Sequence, residues 1–173
     1  MADAIARARA LLERVTPLES DCGRVCDGRC CRATEEHEGM LLFPGEVCGE
    51  GFSVRITASG DRLCVCDGTC DRAERPLACR MFPLFPAVGE DGRVRAVYDV
   101  RAFGVCPLVR ECAHVPLRRD FVRAVRRAGR ILMSDPACAA FLRRGSEEIA
   151  EINRLVGLDA ERAPIARRRI KGE

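Results

Sequence analysis

The C-terminal third of the chain shows the clearest periodicity of apolar and polar positions. Between 117 and 133, apolar residues recur at intervals of three and four, the spacing of one face of an α-helix. A second helix is predicted after it, with Ser134 or Asp135 as N-cap and Pro136 near the first helical position. It either continues through Gly145 or gives way there to a third helix over 146–156. The apolar positions of the first helix are Phe121, Val122, Val125, Ile131 and Leu132.

The first residues of the chain also predict a helix, over 3–15. Asp3 is placed to cap this helix, and Pro17 ends it and leads into the first cysteine-rich loop. The helix therefore has a defined start and stop in the sequence. Its apolar face consists of Ile5, Leu11, Leu12 and Val15.

Between these helical ends the patterns are short. The run MLLFPGE at 40–46 predicts a buried segment that enters a Pro-Gly turn. Prolines over 80–92 exclude a long helix, and GEDG at the end of that stretch predicts a hairpin turn. Short strands are predicted at 51–57, 61–66 and 92–100. We therefore predict a small, loop-rich α+β fold, in which a cysteine-rich half with short strands packs on a helical C-terminal half.

The length of 173 residues fits a single domain, and no linker is evident. Within this domain we expect a cysteine-cluster region at 16–115, a helical part at 116–160 and a frayed tail at 161–173. No apolar run reaches the roughly 20 residues that span a bilayer, and the N-terminus does not resemble a signal peptide. A cytoplasmic location is therefore expected, where clustered cysteines bind metal more often than they form disulfides.

Charge is distributed unevenly along the chain. Residues 1–115 carry a net charge of −3 and residues 116–173 one of +6. A basic C-terminal half makes an acidic macromolecule, such as nucleic acid, a candidate partner. The alternative is compositional: Lys171 is the only lysine among 29 basic residues, so the abundance of arginine can reflect genomic base composition.

Eight of the twelve cysteines fall into short clusters. A thiolate is a soft, charged ligand, and several thiolates are costly to bring together unless a cation neutralises them. The sequence therefore predicts a metal or iron–sulfur centre, with disulfides as the alternative. The eight candidate metal ligands are Cys22, Cys26, Cys30, Cys31, Cys66, Cys70, Cys79 and Cys106.

The pentapeptide Cys-Asp-Gly-X-Cys occurs twice, at 26–30 and 66–70. Gly28 and Gly68 predict tight turns that point both sulfurs inward and direct backbone N–H groups towards them. The short gaps of three residues or none do not match the C-x2-C spacing of common zinc modules, nor that of ferredoxins. Because adjacent side chains diverge, Cys30 and Cys31 are expected to serve different metals, unless one of them supplies a reactive thiol.

Two arginines near Cys79 are candidate cofactor-binding residues. Arg75 and Arg80 suit an anionic metal–thiolate centre, or a carboxylate or phosphate of a substrate. Asp99 and Arg101 are placed to extend this polar ring. The alternative for all four is a set of surface salt bridges that contribute little to stability.

The remaining cysteines carry weaker signals. Cys64 is either a half-buried strand residue on the same face as Cys66 or a ligand in its place. An isolated cysteine behaves as a small buried hydrophobe, so packing is expected for Cys48, Cys112 and Cys138. His114 either forms a mixed ligand pair with Cys112 or is an ordinary surface residue.

Taken together, the motifs resemble the cysteine-cluster proteins of the YkgJ type, described as a zinc- or iron-chelating domain. The resemblance covers roughly residues 20–110 and implies that the eight clustered cysteines are those of the family. It also implies that Cys48, Cys64, Cys112 and Cys138 are particular to this chain, and it supports a metal far better than any one reaction. The motifs are DCGRVCDGRCC, GMLLFPGE, CDGTC, RPLACRMFPLFP and GVCPL.

Three functions fit these residues. The leading hypothesis is an intracellular protein that carries iron as an iron–sulfur cluster, with a redox role or a role in a modification reaction. The second is structural zinc in one or two Zn(Cys)4 sites, or mononuclear iron in their place, with an acidic partner bound by the basic helical face. The third is a metal-dependent enzyme that modifies protein or RNA, with Arg75 and Arg80 beside an open coordination position.

Overall fold

Short helices alternate with strands in the cysteine-rich part of this computed structural model, and two long helices follow. The described residues form α1 at Ala2–Leu12, α2 at Gly23–Cys26, α3 at Leu77–Met81, α4 at Ala102–Val105, α5 at Arg119–Leu132 and α6 at Pro136–Leu155. Single 3-10 turns lie at Arg29–Cys31 and Arg72–Glu74. The structure describes residues 2–20, 22–32, 39–66, 68, 70–109 and 115–156.

Two small antiparallel sheets accompany these helices. The strands are β1 at Met40–Leu41, β2 at Phe52–Ile56, β3 at Arg62–Cys66, β4 at Leu84–Val88 and β5 at Val94–Tyr98. The first sheet has the order β1-β3-β2, and β4 and β5 form a hairpin. The predicted α+β class is therefore confirmed, and β2, β3 and β5 correspond to the three predicted strands.

Strand β4 is one of the elements that the sequence does not predict, because its prolines are typical of loops. Pro86 lies inside β4, opposite Ala96 of β5. A two-stranded sheet leaves one edge of each strand unpaired, so a residue without an N–H group is tolerated there. The predicted GEDG turn is confirmed: Gly89 N–H donates to the Arg93 carbonyl at 3.0 Å and joins the two strands.

The predicted N-terminal helix is shorter than the pattern suggests. It ends at Leu12 because the Arg72 guanidinium donates hydrogen bonds to the carbonyls of Leu12, Glu13 and Val15. Asp3 lies within the first turn of α1 rather than at its cap, and its carboxylate is 3.5 Å from the Arg7 guanidinium. The predicted turn after the buried run at 40–46 is confirmed, since Glu46 N–H donates to the Phe43 carbonyl at 2.9 Å.

The two long helices agree closely with the periodicity. Asp135 caps α6 by accepting the Cys138 N–H at 3.0 Å. Of the two alternatives at Gly145, the continuous helix is observed. A Cβ atom at Gly145 would lie 2.7 Å from Cζ of Phe85, so this glycine allows α6 to approach β4 closely.

One apolar cluster extends from the N-terminal helix to the C-terminal helices. Helix α1 packs against α5, and both α5 and α6 pack against β4. Cys22, Cys30 and Cys79 pack against the edge of this cluster, which places the cysteine loops beside the core. None of the described helices is both long and apolar enough to cross a membrane. The largest fully buried side chains include Phe43, Phe121, Leu12, Leu77, Met81, Leu132 and Leu142.

Candidate metal centre

The first cysteine loop folds back on itself within ten residues. Asp27 and Gly28 both adopt left-handed backbone conformations, with φ of 53° and 64°. These two residues end α2 and start the 3-10 turn at Arg29–Cys31, so Cys30 and Cys31 return towards Cys26. Hydrogen bonds from Gly28 N–H to the Gly23 carbonyl and from Cys31 N–H to the Gly28 carbonyl close the turn, at 2.9 and 2.7 Å.

The second cysteine loop continues directly from β3. Cys64 and Cys66 lie on the same face of this strand, with Cys64 opposite both Met40 and Val54. Gly68 has a φ of 96°. Burial raises the pKa of Cys66, and the Gly68 N–H group opposes this rise. Both glycines of the repeated pentapeptide therefore have the positive φ that tight turns require.

A buried carboxylate positions the helix that carries Cys79. Glu46 is 2% exposed and accepts the N–H groups of Phe43 at 3.2 Å and Leu77 at 2.6 Å. Leu77 is the first residue of α3, so this bond fixes the start of that helix against the turn before β2. Burial raises the pKa of Glu46 although these N–H groups and Arg9 oppose the shift. Sequence reasoning does not single out Glu46, because nothing in its neighbourhood marks it as buried.

All eight predicted ligands line one cavity of about 470 Å³. The cavity lies between the two cysteine loops, α3 and the segment after α4, and Cys64 and Arg75 also line it. Apolar side chains, among them Phe52, Phe82 and Leu108, form part of its wall. The cysteines that line the cavity are Cys22, Cys26, Cys30, Cys31, Cys64, Cys66, Cys70, Cys79 and Cys106.

Within this cavity the described residues include one group of three sulfurs that are close enough to share an ion. The Sγ atoms of Cys31, Cys66 and Cys70 all lie within 4.8 Å of one another. A tetrahedral ion with metal–sulfur bonds of about 2.3 Å requires sulfur separations of about 3.8 Å. This group of cysteines can therefore hold a metal ion after a small inward movement.

The electrostatics connect the thiols of the first cysteine loop with those of the second. A hydrogen bond with Cys31, burial and the nearby sulfurs of Cys22 and Cys26 raise the pKa of Cys30 far above its ordinary value. Burial, then Cys70 and Cys31, raise the pKa of Cys66 overall.

Burial and the sulfurs of Cys31, Cys70 and Cys66 likewise raise the pKa of Cys79. Such thiols hold their protons at neutral pH, and ionising them together requires a compensating cation.

The two candidate arginines occupy different places. Arg75 lines the cavity, and its Nε donates to Sγ of Cys70 at 3.3 Å, as expected for a partner of a thiolate centre. Arg80 does not line it: its guanidinium donates to the carbonyls of Arg72, Ala73 and Arg75 at 2.7–3.0 Å. Arg80 is thus placed to hold the turn that leads from Cys70 to α3, rather than to meet a cofactor.

Asp99 and Arg101 do not extend the polar ring of the cavity. Both oxygens of the buried Asp99 carboxylate accept from the Arg101 guanidinium, at 2.8 and 2.6 Å. The pair lines a separate small cavity with Phe85 and Phe141, away from the cysteines. The expectation that these residues join the site is wrong, because the chain turns before α4 and directs them towards α6.

Cys48 and Cys64 form a close pair that the sequence does not predict. Cys64 is buried, and the two Sγ atoms are 2.9 Å apart. The contact depends on the pairing of β1 with β3, which no spacing in the sequence reveals. Cys138 is fully buried at the start of α6, as expected for packing, and burial raises its pKa to about 11. Cys112, His114 and the tail at 161–173 lie outside the described residues.

Comparison with family models, with curated proteins and with solved structures finds no match to this chain. The resemblance to the YkgJ-type proteins therefore stays a prediction, based on the motifs alone. The geometry of the cavity and the chemistry of its donors support a metal independently of that resemblance.

Proposed function

We propose that the protein is a metal-binding protein of the YkgJ type, whose clustered thiolates hold metal between the two cysteine loops. The observation that carries the proposal is the close approach of three sulfurs, Cys31, Cys66 and Cys70. Cys31 comes from the first cysteine loop and Cys66 and Cys70 come from the second, so one ion joins the two loops. Cys79, whose sulfur interacts with all three, is the proposed fourth donor.

A single ion at this group fits the sulfur spacing better than an iron–sulfur cluster does. In a 4Fe–4S cluster each cysteine ligates a different iron atom, so the sulfurs stand farther apart than around one tetrahedral ion. Zinc or mononuclear iron is therefore the metal proposed here, and it supplies a cross-link between the loops. Cys22, Cys26, Cys30 and Cys106 line the same cavity and are the proposed donors to a second ion.

An iron–sulfur cluster with a redox role is the second candidate. The cavity volume of about 470 Å³ and the eight candidate thiols favour a cluster, because a single-ion site needs neither so much space nor so many donors. Arg75, which donates to Cys70, would stabilise the negative charge of such a centre.

Anaerobic purification followed by elemental analysis, a sulfide assay and an absorption spectrum tests these proposals. One or two zinc or iron ions per chain without acid-labile sulfide supports the mononuclear site. Iron with equal sulfide and a brown colour supports the cluster. A purified protein that contains no metal and takes up neither zinc nor iron, with the eight thiols mapped as disulfides, contradicts both.

Two matched variants assign the ligands. Cys70→Ser removes a member of the close group and is expected to lower the metal content. Cys138→Ser changes a fully buried cysteine outside the cavity and is expected to leave the metal content unchanged. Unchanged stoichiometry in Cys70→Ser and in the equivalent Cys30→Ser would reject the assignment.

Metal uptake should also release protons. The pKa values of Cys30, Cys66 and Cys79 are raised, so these thiols are protonated at neutral pH without metal. A metal ion must displace these protons, and its affinity therefore increases as the pH rises. Titration of the metal-free protein in weakly buffered solution at pH 6 and pH 8 measures both effects.

A further inference from the structure

The outward face of α5 carries five arginines and is opposite to the face that packs on the core. At 3.6 residues per turn, the five positions fall within about 100° of the helix circumference and extend over about 16 Å. The buried residues of α5, including Phe121, Val125 and Leu132, occupy the other side. The exposed arginines are Arg119, Arg123, Arg126, Arg127 and Arg130.

No carboxylate neutralises this arginine face within the described part of the chain. None of the five guanidinium groups forms a salt bridge with a described residue. The one acid of α5, Asp120, is paired with Arg118, which precedes the helix. Placing five positive charges close together costs free energy through their mutual repulsion, unless a negatively charged partner covers them.

Helix α6 shows that arginine-rich composition alone does not produce such a face. Its exposed surface carries three arginines and three glutamates and is therefore electrically balanced. Both helices belong to the same chain and have the same compositional bias, but the single acid of α5, Asp120, is already paired with Arg118. These α6 residues are Arg143, Arg144, Arg154, Glu147, Glu148 and Glu151.

The arginine face also lacks apolar residues that could anchor a protein partner. Protein–protein interfaces have an apolar or aromatic centre surrounded by polar residues. The large exposed apolar side chains of the described residues all lie outside α5: Val47, Val54, Ile56, Leu155 and Val156. A phosphate backbone, in contrast, is bound by cations alone.

We propose that the arginine face of α5 binds the phosphate backbone of a nucleic-acid duplex. A duplex presents one negative charge per about 1.7 Å of its axis, so about nine phosphates lie along a 16 Å face. The planar guanidinium group of arginine binds phosphate oxygens in pairs, which a lysine ammonium does not. This proposal does not depend on the proposed metal, because no residue of α5 lines the cavity.

The test measures binding of the metal-loaded full-length protein to fluorescently labelled 20-base-pair duplexes. DNA and RNA duplexes of the same sequence are titrated by anisotropy between 50 and 200 mM salt. For DNA, five phosphate contacts give a slope of about −4.5 in log affinity against log salt, a loss of about 500-fold over this range. The basic tail at 161–173 is present in every variant, so differences between variants report the helices.

The decisive variant neutralises three positions of the arginine face: Arg123→Gln, Arg126→Gln and Arg130→Gln together. The slope is expected to become shallower by about 2.7. The control changes Arg143, Arg144 and Arg154 of α6 to Gln, which removes the same charge, and is expected to alter the slope by less than about one. Circular dichroism checks that both triple variants keep the parent's helix content.

Four results would overturn the proposal. Binding to neither duplex at 50 mM salt is the first, and an unchanged slope in the α5 variant is the second. Equal losses in the two triple variants would mean that net charge alone attracts nucleic acid. Capture of poly-glutamate but of neither duplex would identify an acidic polypeptide as the ligand instead.

Discussion

The cysteine loops and the long C-terminal helices are held in place by different forces. Helices α5 and α6 bury large apolar side chains, such as Phe121 and Leu142, each fully removed from solvent. The 3-10 turns at Arg29–Cys31 and Arg72–Glu74 bury no residue at all. Hydrophobic burial stabilises the helices. The cysteine loops instead surround a cavity with thiols that repel one another once ionised.

This difference shows why the proposed metal matters more for one region than for the other. Structural zinc contributes about 10–16 kcal/mol in small metal-dependent domains, which is as much as a whole domain's net stability. The helical region does not need such a contribution because its apolar face already packs on β4 and α1.

Removal of metal is expected to have the largest effect, and to be confined to the cysteine loops. After chelation, amide exchange in 22–32 and 62–80 should accelerate by at least about 100-fold, because the thiols no longer hold the turns together. Helices α5 and α6 should keep their protection. Hydrogen-exchange mass spectrometry of the metal-loaded and chelated protein measures these exchange rates. Equal acceleration in both regions would show that metal stabilises the helices as much as the cysteine loops.

The converse experiment weakens the helical region alone. Phe121→Ala removes a fully buried ring and is expected to lower the free energy of unfolding by about 3–5 kcal/mol. The metal content of the folded protein should not change, because Phe121 does not line the cavity. Urea unfolding followed by circular dichroism gives the free energy. Val122→Ala, at a half-buried position of the same helix, is the control and should cost only about 1 kcal/mol.

The smallest expected effect concerns Glu46, which fixes the start of the helix that carries Cys79. Glutamine has one acceptor oxygen, so Glu46→Gln leaves the N–H of either Phe43 or Leu77 without its partner, at a cost of about 1–3 kcal/mol. Cys79 is two residues beyond Leu77, so metal affinity is expected to fall slightly as well.

The pH dependence identifies the carboxyl group. Because the pKa of Glu46 is raised in the folded state, its contribution to stability is greatest below the unfolded pKa of about 4.3 and decreases as the pH rises through the folded pKa. Glu46→Gln lacks this dependence. Unfolding free energies from pH 4 to pH 8 should therefore converge for the two proteins, and a constant difference would show that Glu46 does not titrate in this range.

The helical region could be predicted from sequence because its signals are local. The apolar spacing of Phe121, Val125 and Leu132 gives α5, and Asp135 with the proline after it gives the start of α6. Strand β4 could not be predicted in this way, since it depends on pairing with β5 and on contact with α6. The same non-local packing determines that α6 continues at Gly145.

The site could be predicted in its membership but not in its arrangement. Clustering identifies eight of the nine cysteines that line the cavity, because thiols close in sequence remain close in a tight turn. Closeness in sequence does not determine where a side chain points. Arg75 and Arg80 lie in the same short segment, yet Arg75 donates to the Cys70 sulfur and Arg80 donates to backbone carbonyls. Contacts between distant segments, such as Cys48 with Cys64, require the folded sheet.

A single peptide unit joins Cys30, which interacts with Cys22 and Cys26, to Cys31, which lies beside Cys66 and Cys70. Any rotation of this unit moves both sulfurs, so an ion that fixes Cys31 also restricts where Cys30 can point. Loading of the two thiol sets is therefore expected to be cooperative, with half-filled molecules rare. The adjacent cysteines would then act as a mechanical coupling between two metal positions.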